Sequence, residues 1–581
     1  MKITTPMKCS LSFLPVLLLL QYCLFACAPS LLNGTPVESI EIKADNVQRD
    51  GVTFSIENLS TGDAYWEWQF IDSEDGKIEE ISTDFSPKLS LEKGMYDVVV
   101  TAKNGDHKIK RHYRRYITVL PKVFTARQAD EVIDLSKIKT ENYVKNYGHK
   151  RRPGYKILIK GTYNGRIKIT GLKGTKKNPV HIINEGQVEI NAANESMPYA
   201  WQWSDDNQYI LFDGKADPKI PYGFIVRGHK HRGGQIFFIA GVFSRGFEIC
   251  GLNIIGTQGE REGAAALQVQ TSYTEECNAS NWNFEYLRIH NSKIERANTE
   301  GMYLGYFTDD VRDTGFAPFR LGQVLVYRDT IVKAGWDGVQ IASADVFEIH
   351  NNYIEGTGLS GKRNHSSSVS WNSGNKVGYC YRNTFTDSQG GASIIFGKTG
   401  KDAFIYSNLF IDSYVRNDSS KSVNYFFSKL YNEFADVGLY VFHNTIISDR
   451  ISFKVDYRNS KPDQAIPVVY AANAIVTNLL NKKKYPEIAM GNNLQDSSSW
   501  VIQNVWRMRS KRKELKLSET YRPMEGSPLL NFNFDIQKHI PKLKGGFYDR
   551  DGYPLKHEDL GYTSGCFSAY QLVKDTTAST Q

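Results

Sequence analysis

One polar position recurs inside an otherwise apolar phrase along the middle of this chain. The phrase is an apolar residue, two spacers, usually Asn, one spacer and a second apolar residue. It reads Ile349-His-Asn-Asn352-Tyr-Ile354, Cys380-Tyr-Arg-Asn383-Thr-Phe385, Ile405-Tyr-Ser-Asn408-Leu-Phe410, Val441-Phe-His-Asn444-Thr-Ile446 and Tyr470-Ala-Ala-Asn473-Ala-Ile475. Two further copies, Val326–Ile331 and Ile289–Ile294, carry Asp329 and Ser292 in the Asn slot. Successive copies begin between 23 and 37 residues apart. Such spacing predicts stacked coils. Its unevenness argues against a rigid helical repeat and for a β-solenoid, whose coils keep their strands and let their turns vary. A β-sandwich gives no reason for one Asn offset to recur.

Asn suits a turn between two short strands because it accepts left-handed backbone angles at little cost. Its amide can also bond the same residue of the coils above and below. A second strand follows each turn, and these strands align: Ala266-Leu-Gln-Val269, Gly301-Met-Tyr-Leu-Gly305, Gly338-Val-Gln-Ile-Ala342, Ser368-Val-Ser-Trp-Asn372 and Ser393-Ile-Ile-Phe-Gly397. With Met302, Val339, Val369 and Ile394 inward, two-residue alternation sends Gln268, Tyr303, Gln340, Ser370 and Ile395 outward in one column. Amide, phenol and hydroxyl groups stacked in that way form a groove suited to a sugar chain.

Candidate chemistry borders the column. Glu300 and Asp337 stand just before two of these strands, at matching places in consecutive coils. Paired carboxylates serve as acid and base in glycoside cleavage. They also hold a calcium ion that neutralises a uronate, to which Asp309, Asp310 and Asp313 add ligands. The loop Gly361–Ser368 carries Lys362, Arg363 and His365, the residue types that abstract a proton beside a uronate carboxylate or neutralise it. Lys398 closes the next coil. Acidic residues before Gly and Lys-Arg pairs in polar loops are also ordinary turn choices. A second column, His290, Tyr327, His350, Tyr381, Tyr406 and Phe442, offers aromatic faces to sugars or simply covers a sheet.

At 581 residues, with 33 Tyr and 30 Phe, this is a folded chain. Alternating apolar segments at Val52–Ile56, Tyr65–Phe70, Tyr96–Thr101 and Tyr116–Val119 predict a small β-sandwich before the solenoid. Ala126–Ile138 reads as a short amphipathic helix covering the solenoid's open end. Lys2 and Lys8 followed by the apolar run Leu11–Phe25 mark a secretory signal. The body has no second run of that kind. Cys250, Cys277, Cys380 and Cys566 match no zinc spacing. The compartment permits a disulfide among them without requiring one. The net charge of +8, with basic clusters at His149–Arg152, Lys482–Lys484 and Lys511–Lys513, points toward acidic glycans rather than nucleic acid for a secreted protein.

Several segments resemble known families. Leu24-Phe25-Ala26-Cys27 resembles the lipobox of bacterial lipoproteins, which implies lipidation of Cys27 and anchoring to the cell envelope, at the outer membrane or cell surface. Trp66-Glu-Trp-Gln-Phe70 with Gly94–Val100 resembles the polycystic-kidney-disease-type immunoglobulin-like module, although that family's usual Trp-Asp-Phe-Gly-Asp-Gly is absent. Lys156–Tyr163 and Gly174–Ile182 resemble the opening coils of secreted right-handed parallel β-helix proteins, including lyases of the chondroitinase B and alginate lyase type. Gly526–Leu530, Tyr548–Pro554 and Asp559–Tyr562 resemble their closing phrase. The implied order is a signal over 1–27, a tether over 28–37, an immunoglobulin-like module over 38–122, a right-handed parallel β-helix over 123–565 and a tail over 566–581. Two departures from those lyases stand out. The strand Ala392–Gly397 has no Arg where the lyases carry a catalytic one, and their Asn-Lys-Ser base motif has no clear counterpart. The Asp-Asp pair and Gly-His-Gly of pectin hydrolases are also missing. The resulting expectation is an envelope-anchored protein acting on polysaccharide as a lyase or hydrolase. The alternative is a surface protein that binds glycan without cleaving it.

Overall fold

The computed structural model describes residues 35–37, 39–192, 199–229, 236–257, 265–270, 273–306, 315–362, 365–372, 374–394, 402–411, 427–428, 438–448, 453–455, 468–471, 473–477, 489–490, 500–502, 505–508, 556–557 and 561–562. The chain divides into two compact units, Met1–Leu120 and Pro121–Gln581. Cys27, Asp309, Asp310, Asp313, Arg363, Ile395, Lys398 and Cys566 lie outside the described residues.

The first unit is built on a five-stranded sheet. Its strands run in the order Val47–Arg49, His107–Leu120, Gly94–Asn104, Tyr65–Asp72 and Ile78–Ser82. Alternation along Tyr65–Asp72 buries Trp66, Trp68 and Phe70 on one face and leaves Tyr65, Glu67 and Gln69 half-buried on the other. Val98 and Val100 from the neighbouring strand are also fully buried.

The second unit is a parallel β-helix. Each coil contributes three short strands, as in Ala344–His350, Tyr353–Glu355 and Ser367–Trp371. Each strand pairs in parallel with its counterpart in the next coil, giving three stacked faces. Among the described residues the third face runs through twelve strands, from Asn142–Asn146 to Ala489–Met490. The faces enclose a continuous apolar core. On the first face Phe212, Ile249, Ile289, Val326, Ile349, Cys380, Ile405 and Val441 lie in register and are fully buried. Each large aliphatic in such a column contributes about 1.5–3 kcal/mol.

The recurring Asn builds a hydrogen-bonded ladder between the first and second faces. Asn352 Nδ2 donates to Asn383 Oδ1 at 3.0 Å, Asn383 to Asn408 at 2.9 Å, Asn408 to Asn444 at 3.0 Å and Asn444 to Asn473 at 3.0 Å. Each backbone N–H from Asp329 to Asn444 donates to the next coil's Oδ1, and each Nδ2 also donates to a carbonyl of the preceding coil, as Asn352 does to Val326. Buried polar groups are thereby satisfied along the stack. The left-handed backbone falls one residue earlier than the sequence pattern implies. Asn291, Arg328, Asn351, Arg382, Ser407 and His443 have φ between 50° and 57°. The Asn is thus selected for its amide, while the left-handed position accepts Asn, Arg, Ser and His alike.

Ala126–Ile138 is not a helix. Glu131–Asp134 is a strand paired in parallel with Lys156–Asn164, and Leu135–Lys137 forms one 3₁₀ turn. The β-branched pair Val132-Ile133 extends the sheet by a rung and buries Ile133, while Val132 remains exposed. The aromatic column is also not a surface platform. His290, Tyr327, His350, Tyr381, Tyr406 and Phe442 stack ring on ring at 4.8–5.2 Å, and all are buried. Cys250, Cys277 and Cys380 are all buried. Among the described residues no helix is long and apolar enough to cross a membrane.

Candidate functional site

Glu300 and Asp337 occupy the turn from the second face to the third in adjacent coils. The N–H of Gly301 donates to Asp337 O, and that of Gly338 to Ser367 O, which fixes the register of 300, 337 and 367. The glycine after each carboxylate is a packing requirement. A Cβ at Gly301 would stand 2.6 Å from Gly338 O, and one at Gly338 2.6 Å from Ser368 O.

The loop from Gly356 to Ser366 folds back over the preceding coil. Gly358 N–H donates to Trp336 O and Ser360 N–H to Gly335 O, so this stretch runs alongside 334–336. It thereby delivers His365 to the carboxylates. His365 Nδ1 lies 3.5 Å from Asp337 Oδ2 and 3.9 Å from Glu300 Oε1. The imidazole also packs on Trp336, ring centroids 4.5 Å apart, and Lys362 Nζ sits 5.3 Å from the same indole. Asp337 Oδ1 accepts the Ser367 N–H at 2.6 Å, while Asp337 Oδ2 and His365 Nδ1 are buried without hydrogen-bond partners among the described residues.

Burial sorts the cluster. The side chains of Glu300 and Asp337 are 6% and 1% exposed, whereas that of His365 is 33% exposed. The imidazole is therefore the member that an outside molecule meets. Burial pushes Glu300 up to about 7, and the Asp337 charge adds to that, with His365 opposing. Burial also raises Asp337, opposed by His365 and by the Ser366 and Ser367 N–H groups. His365 is raised above its ordinary value mainly by Asp337, and its own burial works the other way. Burial thus favours the neutral carboxyls while the two acids favour a protonated imidazole, so the three groups share protons and titrate together.

The third face carries the expected column beside this cluster. Gln268, Tyr303, Gln340 and Ser370 are successive register partners. The next member is Ser393 rather than Ile395, two residues earlier than the sequence alignment implied. Upstream the column continues through Phe238, Gln202 and Lys168. Gln268, Tyr303 and Lys168 are half-buried, whereas Gln202, Phe238, Gln340 and Ser370 are buried, so the column is most open at Gln268 and Tyr303 and again at Lys168. The carbonyl oxygens of Gln202, Gln268 and Gln340 have no hydrogen-bond partner among the described residues.

The sequence reading grouped Glu300, Asp337 and His365, and they do meet. It missed Trp336, whose signal was an indole directly before the Asp337 carboxylate. Their three donor atoms lie within 4.8 Å of one another, a spacing that a divalent cation can gather. The imidazole makes this set less suited to calcium, which prefers oxygen ligands, than to a transition metal.

No protein-family model matches the chain, and no curated protein does. Among solved structures it is similar to a family 28 exopolygalacturonase from Yersinia enterocolitica. The two are 10% identical with a TM-score of 0.29, over 82% of this chain and 99% of that one. A superposition that loose carries no argument about chemistry here.

Proposed function

We propose that this chain cleaves an acidic polysaccharide by β-elimination, with His365 as the group that moves the proton. The carrying observation is an accessible imidazole backed by two buried carboxylates at the border of a polar strand ladder. Elimination from a uronate breaks the C–H bond beside the carboxylate and then the C–O bond to the leaving sugar, whose oxygen takes the proton back from the base; it needs that base and a positive charge that stabilises the intervening enolate. His365 supplies the first, and Lys362, adjacent on the same indole, supplies the second. Asp337 faces Nδ1 at 3.5 Å, and Nε2 is the atom assigned to proton transfer. Hydrolysis by two carboxylates is disfavoured because both must reach the glycosidic bond, and Asp337 is covered.

The test is incubation with a panel of uronate polymers, reading both the ultraviolet absorbance of unsaturated uronate and new reducing ends. Wild type should produce both signals together and His365→Ala neither. Reducing ends without absorbance would establish hydrolysis instead. Binding with no products at all would leave a glycan-binding protein. We further propose that Cys27 carries the lipid that tethers the chain to the cell envelope. The unit before Leu120 then acts as an immunoglobulin-like spacer, a reading supported by the Leu24–Cys27 run and the Trp66–Phe70 strand.

A further inference from the structure

The third face has two long edges. The reactive cluster lies along the one where the chain arrives from the second face. On the opposite edge, the turns that leave Asn142–Asn146 and Arg166–Thr170 run side by side. The backbones of Arg151 and Lys173 pair as a parallel β-bridge, Arg152 N–H donates to Lys173 O, and Gly154 N–H donates to Asn178 O. These two turns bring together Lys150, Arg151 and Lys176, all exposed, with Arg152 and Lys173 half-buried beside them. Asp206 takes up His149 at 2.7 Å and also pairs with Lys173, leaving the three exposed cations as the outward charge. Lys168 continues the positive charge onto the face itself, in the same column as Gln202, Phe238, Gln268 and Tyr303.

We infer that this edge is a second anchoring site for the same acidic glycan. It would grip the chain through its carboxylates or sulfates several units away from the reactive cluster. This rests on reading the third face as a glycan track. The strand Arg166–Thr170 is four rungs from Met302–Leu304. That is roughly 19 Å along the axis at 4.8 Å per rung. A polymer spans this diagonal, and a disaccharide does not. The connecting column alternates amide and aromatic side chains, a spacing of two rungs that is close to the length of two sugars in an extended chain. The exposed charges contribute through screening-sensitive attraction, so the second site adds affinity only for chains long enough to occupy both.

The experiment compares wild type with the K150E/R151E/K176E triple variant for equilibrium binding to a uronate polymer and to its disaccharide, at several salt concentrations. The full chain is used, and thermal melts confirm folding. The expected result is at least a ten-fold loss of polymer affinity with a shallower salt dependence, while disaccharide affinity is unchanged. K150Q/R151Q/K176Q should fall between the two. Wild type that binds polymer without cleaving it would overturn the elimination and leave this inference standing. Unaltered polymer binding by the triple variant overturns it. So does wild-type retention of DNA or anionic vesicles as strong as that of the polymer, or a failure to bind any acidic polymer.

Discussion

Asp329 is the one carboxylate inside the asparagine ladder, and replacing it by Asn should stabilise the solenoid. Its Oδ1 accepts the Ser292 N–H at 2.7 Å, and its own N–H donates to Asn352 Oδ1 at 2.9 Å, as an Asn in that slot would arrange. Its Oδ2 is buried and has no hydrogen-bond partner among the described residues. Elsewhere in the ladder that place is filled by Nδ2, donating to a carbonyl of the preceding coil, as Asn352 does to Val326. The equivalent carbonyl for position 329 is that of Ile289. A charged Oδ2 would face acceptors there, whereas a protonated one mimics the amide. Burial accordingly pushes this carboxyl well above its ordinary value, with the Ser292 N–H opposing. The folded state thus holds a proton that the unfolded chain releases near pH 3.9. Between the unfolded value and the raised folded one, the unfolded state binds fewer protons, so stability falls as pH rises, by about 1.4 kcal/mol per unit. Asp329→Asn removes that slope and supplies the missing donor. Unfolding of both proteins should be followed by circular dichroism in urea between pH 4 and 8. The variant should be the more stable, by a margin that widens with pH until the folded carboxyl ionises. A margin that does not change with pH, or a less stable variant at pH 7, would refute the neutral-rung argument.

Further predictions concern the ladder, the core and the cluster. Asn383→Ala strands the Asn352 N–H, which donates to Asn383 Oδ1, and the Ile349 carbonyl, which accepts from Asn383 Nδ2, both in a buried setting. At about 1–3 kcal/mol for each of these two orphaned groups, it should lower solenoid stability by roughly 2–6 kcal/mol in the same urea series. Gly338→Ala sets a methyl against Ser368 O and Ile354, so soluble yield and melting temperature should both fall. Asp337→Asn removes the charge that raises His365. The activity limb that rises as the imidazole loses its proton should therefore shift to lower pH, while maximal turnover drops through lost positioning; an unshifted limb would show that Asp337 does not control that imidazole. Cys250, Cys277 and Cys380 should resist a thiol reagent in native buffer and react on unfolding; fast native labelling of any of them would contradict their burial.

The architecture was legible because coil stacking writes itself into sequence twice, as the Asn slot and as the apolar residues three before and two after it. Both features answer to the same constraint: a buried turn must satisfy its amides while flanking side chains fill one core. The left-handed angle one residue earlier left no such trace, because Asn, Arg, Ser and His all adopt it. The end strand Glu131–Asp134 was misread as helical for a related reason. Its pattern is too short for period alone to separate two turns of helix from one strand, and the decision is made by the free edge of Lys156–Asn164, which offers a row of backbone partners.

The site divides along the same line. Glu300 and Asp337 could be paired from sequence because they share an offset from aligned strands, and parallel stacking preserves offsets. His365 could be named only as a residue type, since its place depends on a loop that reverses direction over the coil before it. Backbone bonds from Gly358 and Ser360 to Trp336 and Gly335 set that reversal, and no side-chain pattern announces them. The exposure ranking was equally out of reach. Two carboxylates at a strand entrance look equivalent in sequence, yet the folded loop covers both and leaves the imidazole outermost. That ordering moves the reading from a carboxylate pair that hydrolyses to an imidazole that carries a proton, with the acids behind it setting its charge.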